Sequence, residues 1–215
     1  MKKIYLFILL FIIFEHSFAQ IYWNNSRADK FFTYGVRTGL NLSKGYLQGG
    51  SSSYDFKVGY QIGAQFDLNL CRSFSISTEI YYIEKGYKMS FNEDETELFS
   101  VKDNASYIET LLLASYRIPL SDNTEFQVNI GPYFAYGLNG KWIMKNDNFH
   151  EEMSSFNKDM GIKRIDFGLS YGCAVTFSDI YLGVSYERSF VNISQNKNAN
   201  LKNGSIVFCL GYNFN

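Results

Sequence analysis

Apolar and polar residues alternate with period two along most of this chain. The clearest run is Val58, Tyr60, Ile62, Ala64, Phe66 and Leu68, interleaved with Lys57, Gly59, Gln61, Gly63, Gln65, Asp67 and Asn69. Alternation of that length marks a strand with two unlike faces, not a helix. The same reading predicts strands over 34–42, 57–69, 74–88, 105–118, 125–140, 161–176, 180–189 and 203–214. These eight segments exceed the usual strand length of about 5–6 residues.

The connections alternate in length. Segments 43–56, 89–104, 141–160 and 190–202 are long and polar, whereas 70–73, 119–124 and 177–179 are short. In an up-and-down meander, every second connection lies at the same end. All long connections then share one end, and all tight turns share the other. An even number of strands with this asymmetry is the pattern of a transmembrane β-barrel.

The two faces of the strands decide which way such a barrel is turned. One parity carries Val36, Leu40, Tyr60, Ile62, Phe66, Ile80, Leu112, Ile130, Phe134, Phe167, Leu182, Phe208 and Leu210. The other carries ten of the 17 glycines, with Arg37, Glu79, Glu109, Arg117, Asp166 and Glu187. A soluble barrel buries its apolar face, but eight strands enclose a space only wide enough for a layer of side chains. The inverted arrangement fits: large apolar side chains meet lipid, while glycines, small polar residues and a few charges fill a narrow lumen. Leu111 and Leu113 also fall on the lumen parity and interrupt its polar character. Closure satisfies every backbone N–H and C=O in hydrocarbon, which an open sheet cannot do. Tyr34, Tyr82, Tyr87, Tyr116, Tyr136, Trp142, Tyr186 and Phe190 stand near predicted strand ends, as an interfacial aromatic girdle requires.

Composition agrees with this picture. Aromatic residues make up 18% of the 215 residues, yet mean hydropathy is −0.16, because two very different faces average out. The net charge of −1 carries no basic footprint for nucleic acid. At the start, Lys2 and Lys3 precede eleven apolar residues, Ile4 to Phe14, and Ser17-Phe18-Ala19 has the form of a cleavage site. This predicts a secretory signal peptide over 1–19, a short leader over 20–33 and a barrel over 34–215. The apolar run is too short for a spanning helix. Absence of a following Cys argues against a lipoprotein. Cys71, Cys173 and Cys209 form no C-x-x-C pair and read as small apolar fillers.

Several segments resemble a known family. Gly35-Val36-Arg37-Thr38-Gly39-Leu40-Asn41-Leu42-Ser43 resembles the G-x-K-x-G-x-N-x-S first strand of the PorT-type outer-membrane β-barrel family. Val58 to Ala64 is similar to its second strand. Ser77 to Tyr82 with Glu84-Lys85-Gly86 is similar to the third, and Tyr107 to Leu113 to its Y-L-E-I-P-L-L-L strand. Gly131-Pro132-Tyr133-Phe134 and Leu182 to Tyr186 match the fifth and seventh. The ordered set spans 35–215. It departs at Arg37 for Lys, at Thr110-Leu111 for Ile-Pro, and at Asn215 beyond the terminal aromatic. The resemblance implies an outer-membrane barrel of Bacteroidetes type and, from the namesake, an accessory role in protein secretion.

For chemistry, the strongest polar feature is the lumen set Arg37, Glu79, Glu109, Arg117, Asp166 and Glu187. Charges in a narrow lumen must be paired or hydrated, so the set predicts an interior ion-pair network; the alternative is a gated ion path. Glu79 and Glu109 lack the fixed spacing of a general acid–base pair. His150, near Ser154 and Ser155, could serve a lipid-modifying enzyme only if rigidly held, and its segment is polar and loop-like. The acidic stretch Phe91 to Glu97 lacks EF-hand spacing. No phosphate-binding, zinc or nucleophile-elbow motif occurs, and no cofactor is expected. The sequence therefore predicts a non-enzymatic outer-membrane protein with a structural or interaction role. Its expected contacts are outer-membrane lipid, the insertion machinery during biogenesis, and envelope or secretion-system proteins. A small porin or gated channel is the alternative, and a lipid-modifying enzyme a third reading.

Overall fold

The computed structural model describes residues 26, 28, 30–47, 55–94, 97–146, 149–157, 161–196 and 199–214. The predicted signal segment and most of the predicted leader lie outside these residues. The strands, in chain order, are β1 (Phe32–Leu47), β2 (Lys57–Asn69), β3 (Phe74–Lys85), β4 (Lys88–Asp94) and β5 (Glu97–Ser121). They continue as β6 (Thr124–Asn146), β7 (Phe149–Ser154), β8 (Ile165–Phe177), β9 (Ile180–Ser189) and β10 (Leu201–Phe214).

Eight of these close a ring in the order β5-β3-β2-β1-β10-β9-β8-β6, with β6 returning to β5. Every neighbouring pair is antiparallel. The first and last strands zip together from Tyr34↔Phe214 to Leu47↔Leu201, so the ring has no open edge. The predicted eight-strand count describes this ring but not the whole sheet. Two short strands stand outside it: β4 pairs with β5, and β7 with β6. Segments 89–104 and 141–160, expected as loops, instead carry β5 and β6 well beyond the ring. Their pairing continues from Asn104↔Lys141 to Ser100↔Lys145. The reason lies in the pattern, since alternation persists through Val101, Asp103 and Ala105, all buried, with Lys102 and Asn104 between them.

The tight turns gather at the end opposite these extensions. One is the two-residue turn Asp122-Asn123; another is Ser178-Asp179, where Ser178 adopts a left-handed φ of 52°. Outward-facing side chains form an apolar belt: Leu40, Ile62, Leu182 and Leu210 are 58%, 59%, 58% and 50% exposed. An apolar surface on all eight ring strands is tolerable only against hydrocarbon. Inward positions are buried and mixed, with polar Asn41, Gln61, Gln65 and Ser77 beside a cluster of Tyr81, Tyr107, Tyr133, Leu111 and Leu113. Space there is short. A Cβ on Gly211 would sit 2.4 Å from the Arg37 side chain, so glycine makes room for a guanidinium.

Candidate functional site: a layered polar lumen

The lumen is built in layers from the turn end upward. At that end, Arg117 pairs with Asp67 (Nη2–Oδ2 2.7 Å) and donates to Asn69 Oδ1 at 2.8 Å. The Ser77 hydroxyl also donates to Asp67. Nearby, Arg37 donates to Gln65 Oε1 (2.8 Å) and Asn213 Oδ1 (2.7 Å), and its guanidinium lies 4.1 Å from the Tyr181 ring centre. Arg37, Asp67, Asn69, Arg117 and Asn213 border a vestibule of about 520 Å³.

Above it the lumen narrows. Tyr81 donates to Glu79 at 2.9 Å, and Leu111, Leu113 and Tyr181 close around them. The space left there is about 30 Å³, room for no more than a few waters.

The next layer is a buried ion triad. Lys85 Nζ bonds to Glu109 Oε2 and, at 2.8 Å, to Glu187 Oε2. All three side chains are no more than 4% exposed. The Lys85 ammonium also lies 4.6 Å from the Tyr133 ring centre. Asp166 flanks the triad, accepting from Asn203 Nδ2 at 2.9 Å and from the Tyr133 hydroxyl. Tyr107 covers this layer, and Phe156 meets its ring edge-on with centroids 5.9 Å apart.

Beyond the belt, where β5 and β6 leave the ring, Lys57 pairs with Glu84 at 2.6 Å. A chamber of about 190 Å³ opens there, bordered by Asp103, Ser155, Tyr87 and Trp142. Burial pushes the Asp103 carboxyl up to about 6, with Ser155 and Lys57 pulling it back only in part.

Glu109 and Glu187 thus come together through Lys85, with Asp166 held beside them by Asn203 and Tyr133, while Arg117 finds Asp67 instead. Arg37 and Glu79 bond mainly to neutral partners. Lys85 and Asp67, though absent from the expected network, were readable. Lys85 shares the parity of Glu79 on the predicted 74–88 strand, and Asp67 shares that of Gly63.

Among the girdle residues, Tyr34, Tyr136 and Phe190 face outward and are about half exposed, with Tyr82, Tyr116 and Tyr186 half-buried. Tyr34 packs on Phe214, and Phe190 on Phe167. Tyr87 and Trp142 correct the expectation, since both border the outer chamber. Tyr87 continues the inward parity of Tyr81, Ile83 and Lys85. Trp142 is placed by the register shift between Ser106 and Tyr107, which brings it opposite inward-facing Asp103. His150 falls in β7 and Phe91–Asp94 in β4; the side chains of both, and Glu95 and Thr96 altogether, lie outside the described residues. No group of three or more His, Cys, Asp or Glu among the described residues is placed to hold a metal ion.

Comparison with known proteins adds a family. The model of the outer membrane protein beta-barrel domain matches residues 18–195. No curated protein sequence matches the chain. Among solved structures, OprG of Pseudomonas aeruginosa is 12% identical with a TM-score of 0.47, over 89% of this chain and 99% of its own. Ail of Yersinia pestis, solved with the heparin analogue sucrose octasulfate, is 14% identical with a TM-score of 0.45, over 86% and 100%.

Proposed function

Because this chain belongs to the outer membrane protein beta-barrel domain family and is an integral outer-membrane protein, we propose that it works through its surfaces rather than through its lumen. The observation that carries this is the seal. The Lys85–Glu109–Glu187 triad, with the Glu79 layer below and Tyr107 and Phe156 above, fills the barrel where a porin would hold water. A sealed lumen leaves an envelope-interaction role as the best-supported function. The barrel anchors the protein, its belt contacts lipid, and the outer sheet β4-β5-β6-β7 offers protein contacts. Among the described residues β7 pairs only with β6, so its far edge is available to another strand. The ordered PorT-type motifs point the role toward protein secretion. No step of this reading uses a catalytic residue.

The test is photo-cross-linking in intact envelopes, with the probe placed in turn at Lys145 and Glu151, both exposed on the outer sheet. Discrete protein adducts at these sites, and none from a probe at belt residue Leu210, are expected. Adducts to lipid alone from all three positions would overturn the reading.

A further inference from the structure

The outer chamber carries chemistry that the sealed lumen does not explain. Asp103 is 1% exposed, and neither of its carboxylate oxygens has a hydrogen-bond partner. The Ser155 hydroxyl, also 1% exposed, stands close enough to ease the Asp103 charge in part but completes no hydrogen bond of ordinary geometry. Both border the same chamber of about 190 Å³. A bare buried carboxylate costs several kcal/mol unless something compensates it. Lys57 is the cation whose field reaches it, but the Lys57 Nζ is committed to Glu84 (2.6 Å) and to the Lys85 carbonyl (3.4 Å). The chamber therefore offers unmet negative charge and three unmet acceptor atoms.

We propose that this chamber binds a primary ammonium group, with Asp103 as counter-ion and Ser155 as third acceptor. An R–NH3+ group has three N–H donors, and Asp103 Oδ1, Asp103 Oδ2 and Ser155 Oγ are three acceptors. Tyr87 and Trp142 border the same space with aromatic rings, a residue type that attracts cations, while Leu47 and Ile162 suit a short alkyl chain. The chamber is smaller than the roughly 300–1,000 Å³ of drug-sized sites, so it fits a headgroup rather than a whole large ligand. A divalent cation fits poorly: calcium takes about 6–8 oxygen ligands, and the chamber supplies a single carboxylate. The ammonium can come from a soluble amine or from an aminophospholipid headgroup.

The experiment uses the full chain, folded in phosphatidylcholine nanodiscs, with Trp23→Phe so that Trp142 alone reports. Propylammonium is titrated against tetramethylammonium, which has no N–H donor, and against neutral 1-butanol. Propylammonium is expected to shift Trp142 emission saturably, at concentrations at least about tenfold below either control. Asp103→Asn is expected to weaken it by about tenfold or more, and Ser155→Ala by several-fold. Adding phosphatidylethanolamine to the disc then assigns the source. Competition points to the lipid headgroup, and an unmoved curve points to a soluble amine. Heat-shifted migration on gels checks that each variant is folded; if Asp103→Asn does not fold, Ser155→Ala carries the test. A wild-type response that is absent, matched by 1-butanol, or unchanged in the folded variants overturns the proposal.

Discussion

Removing Lys85 isolates the energetics of the seal. Lys85→Met keeps much of the side-chain volume but strips the cation from between Glu109 and Glu187, both no more than 4% exposed. Breaking a buried pair by deleting one partner leaves an uncompensated charge and costs about 3–5 kcal/mol, or roughly two to three and a half orders of magnitude in the folding equilibrium. Here two carboxylates are stranded side by side, which favours the upper part of that range. Lys141 provides the control. Its pair with Glu152 has a similar separation, 2.9 Å, but the side chains are 70% and 42% exposed. Lys141→Met should cost no more than about 1 kcal/mol. Both variants and wild type would be unfolded in urea from the same bilayer, followed by tryptophan emission and by heat-shifted migration. Lys85→Met/Glu109→Gln/Glu187→Gln should recover most of the loss, because removing all three charges also removes their desolvation penalty. If Lys85→Met loses no more stability than Lys141→Met, the triad does not behave as a buried unit and the reasoning fails.

Other predictions concern different parts of the barrel. Leu182→Arg, on the belt, should destabilise the folded state by about 2–4 kcal/mol in bilayers if it lies near the midplane, as urea unfolding would show. Gly137→Ala should loosen the outer cover. Its Cβ would meet the Phe156 ring at 2.2 Å, so Phe156 must leave Tyr107, and faster hydrogen exchange at Gly137 and neighbouring amides is the expected readout. Asp103, raised to about 6 in the fold against an ordinary value near 4, binds its proton more tightly folded than unfolded. The native state therefore loses stability as pH rises from about 4 to 6, by up to a few kcal/mol. Asp103→Asn should remove that slope from the urea midpoint measured against pH.

Most of the barrel was legible because one constraint governs nearly every residue. Each strand faces lipid on one side and a crowded lumen on the other, so parity reports surroundings directly. Segments 57–69 and 180–189 have the observed strand limits for that reason. The constraint lapses beyond the membrane. There β4, β7 and the ends of β5 and β6 face water or one another, and a polar strand looks like a loop. The alternation therefore does not single out Asp103, in the expected loop 89–104, and it groups Trp142 with the girdle. Only a register shift near Ser106, which the pattern does not announce, turns Trp142 inward. The lumen partners were hidden for another reason. Parity places Glu109 and Glu187 inside, but it does not say that Lys85 lies between them rather than Arg37 or Arg117. That depends on strand stagger, set by hydrogen-bond register around the closed ring.

A surface-acting barrel requires a lumen sealed by its own side chains. Single-channel recording of the folded protein in planar bilayers tests it most directly. Wild type should insert without producing stepwise ion conductance, with the Lys85–Glu109–Glu187 layer intact. Steady, voltage-independent conductance of a water-filled pore from wild type would contradict the account and return the protein to the porin class.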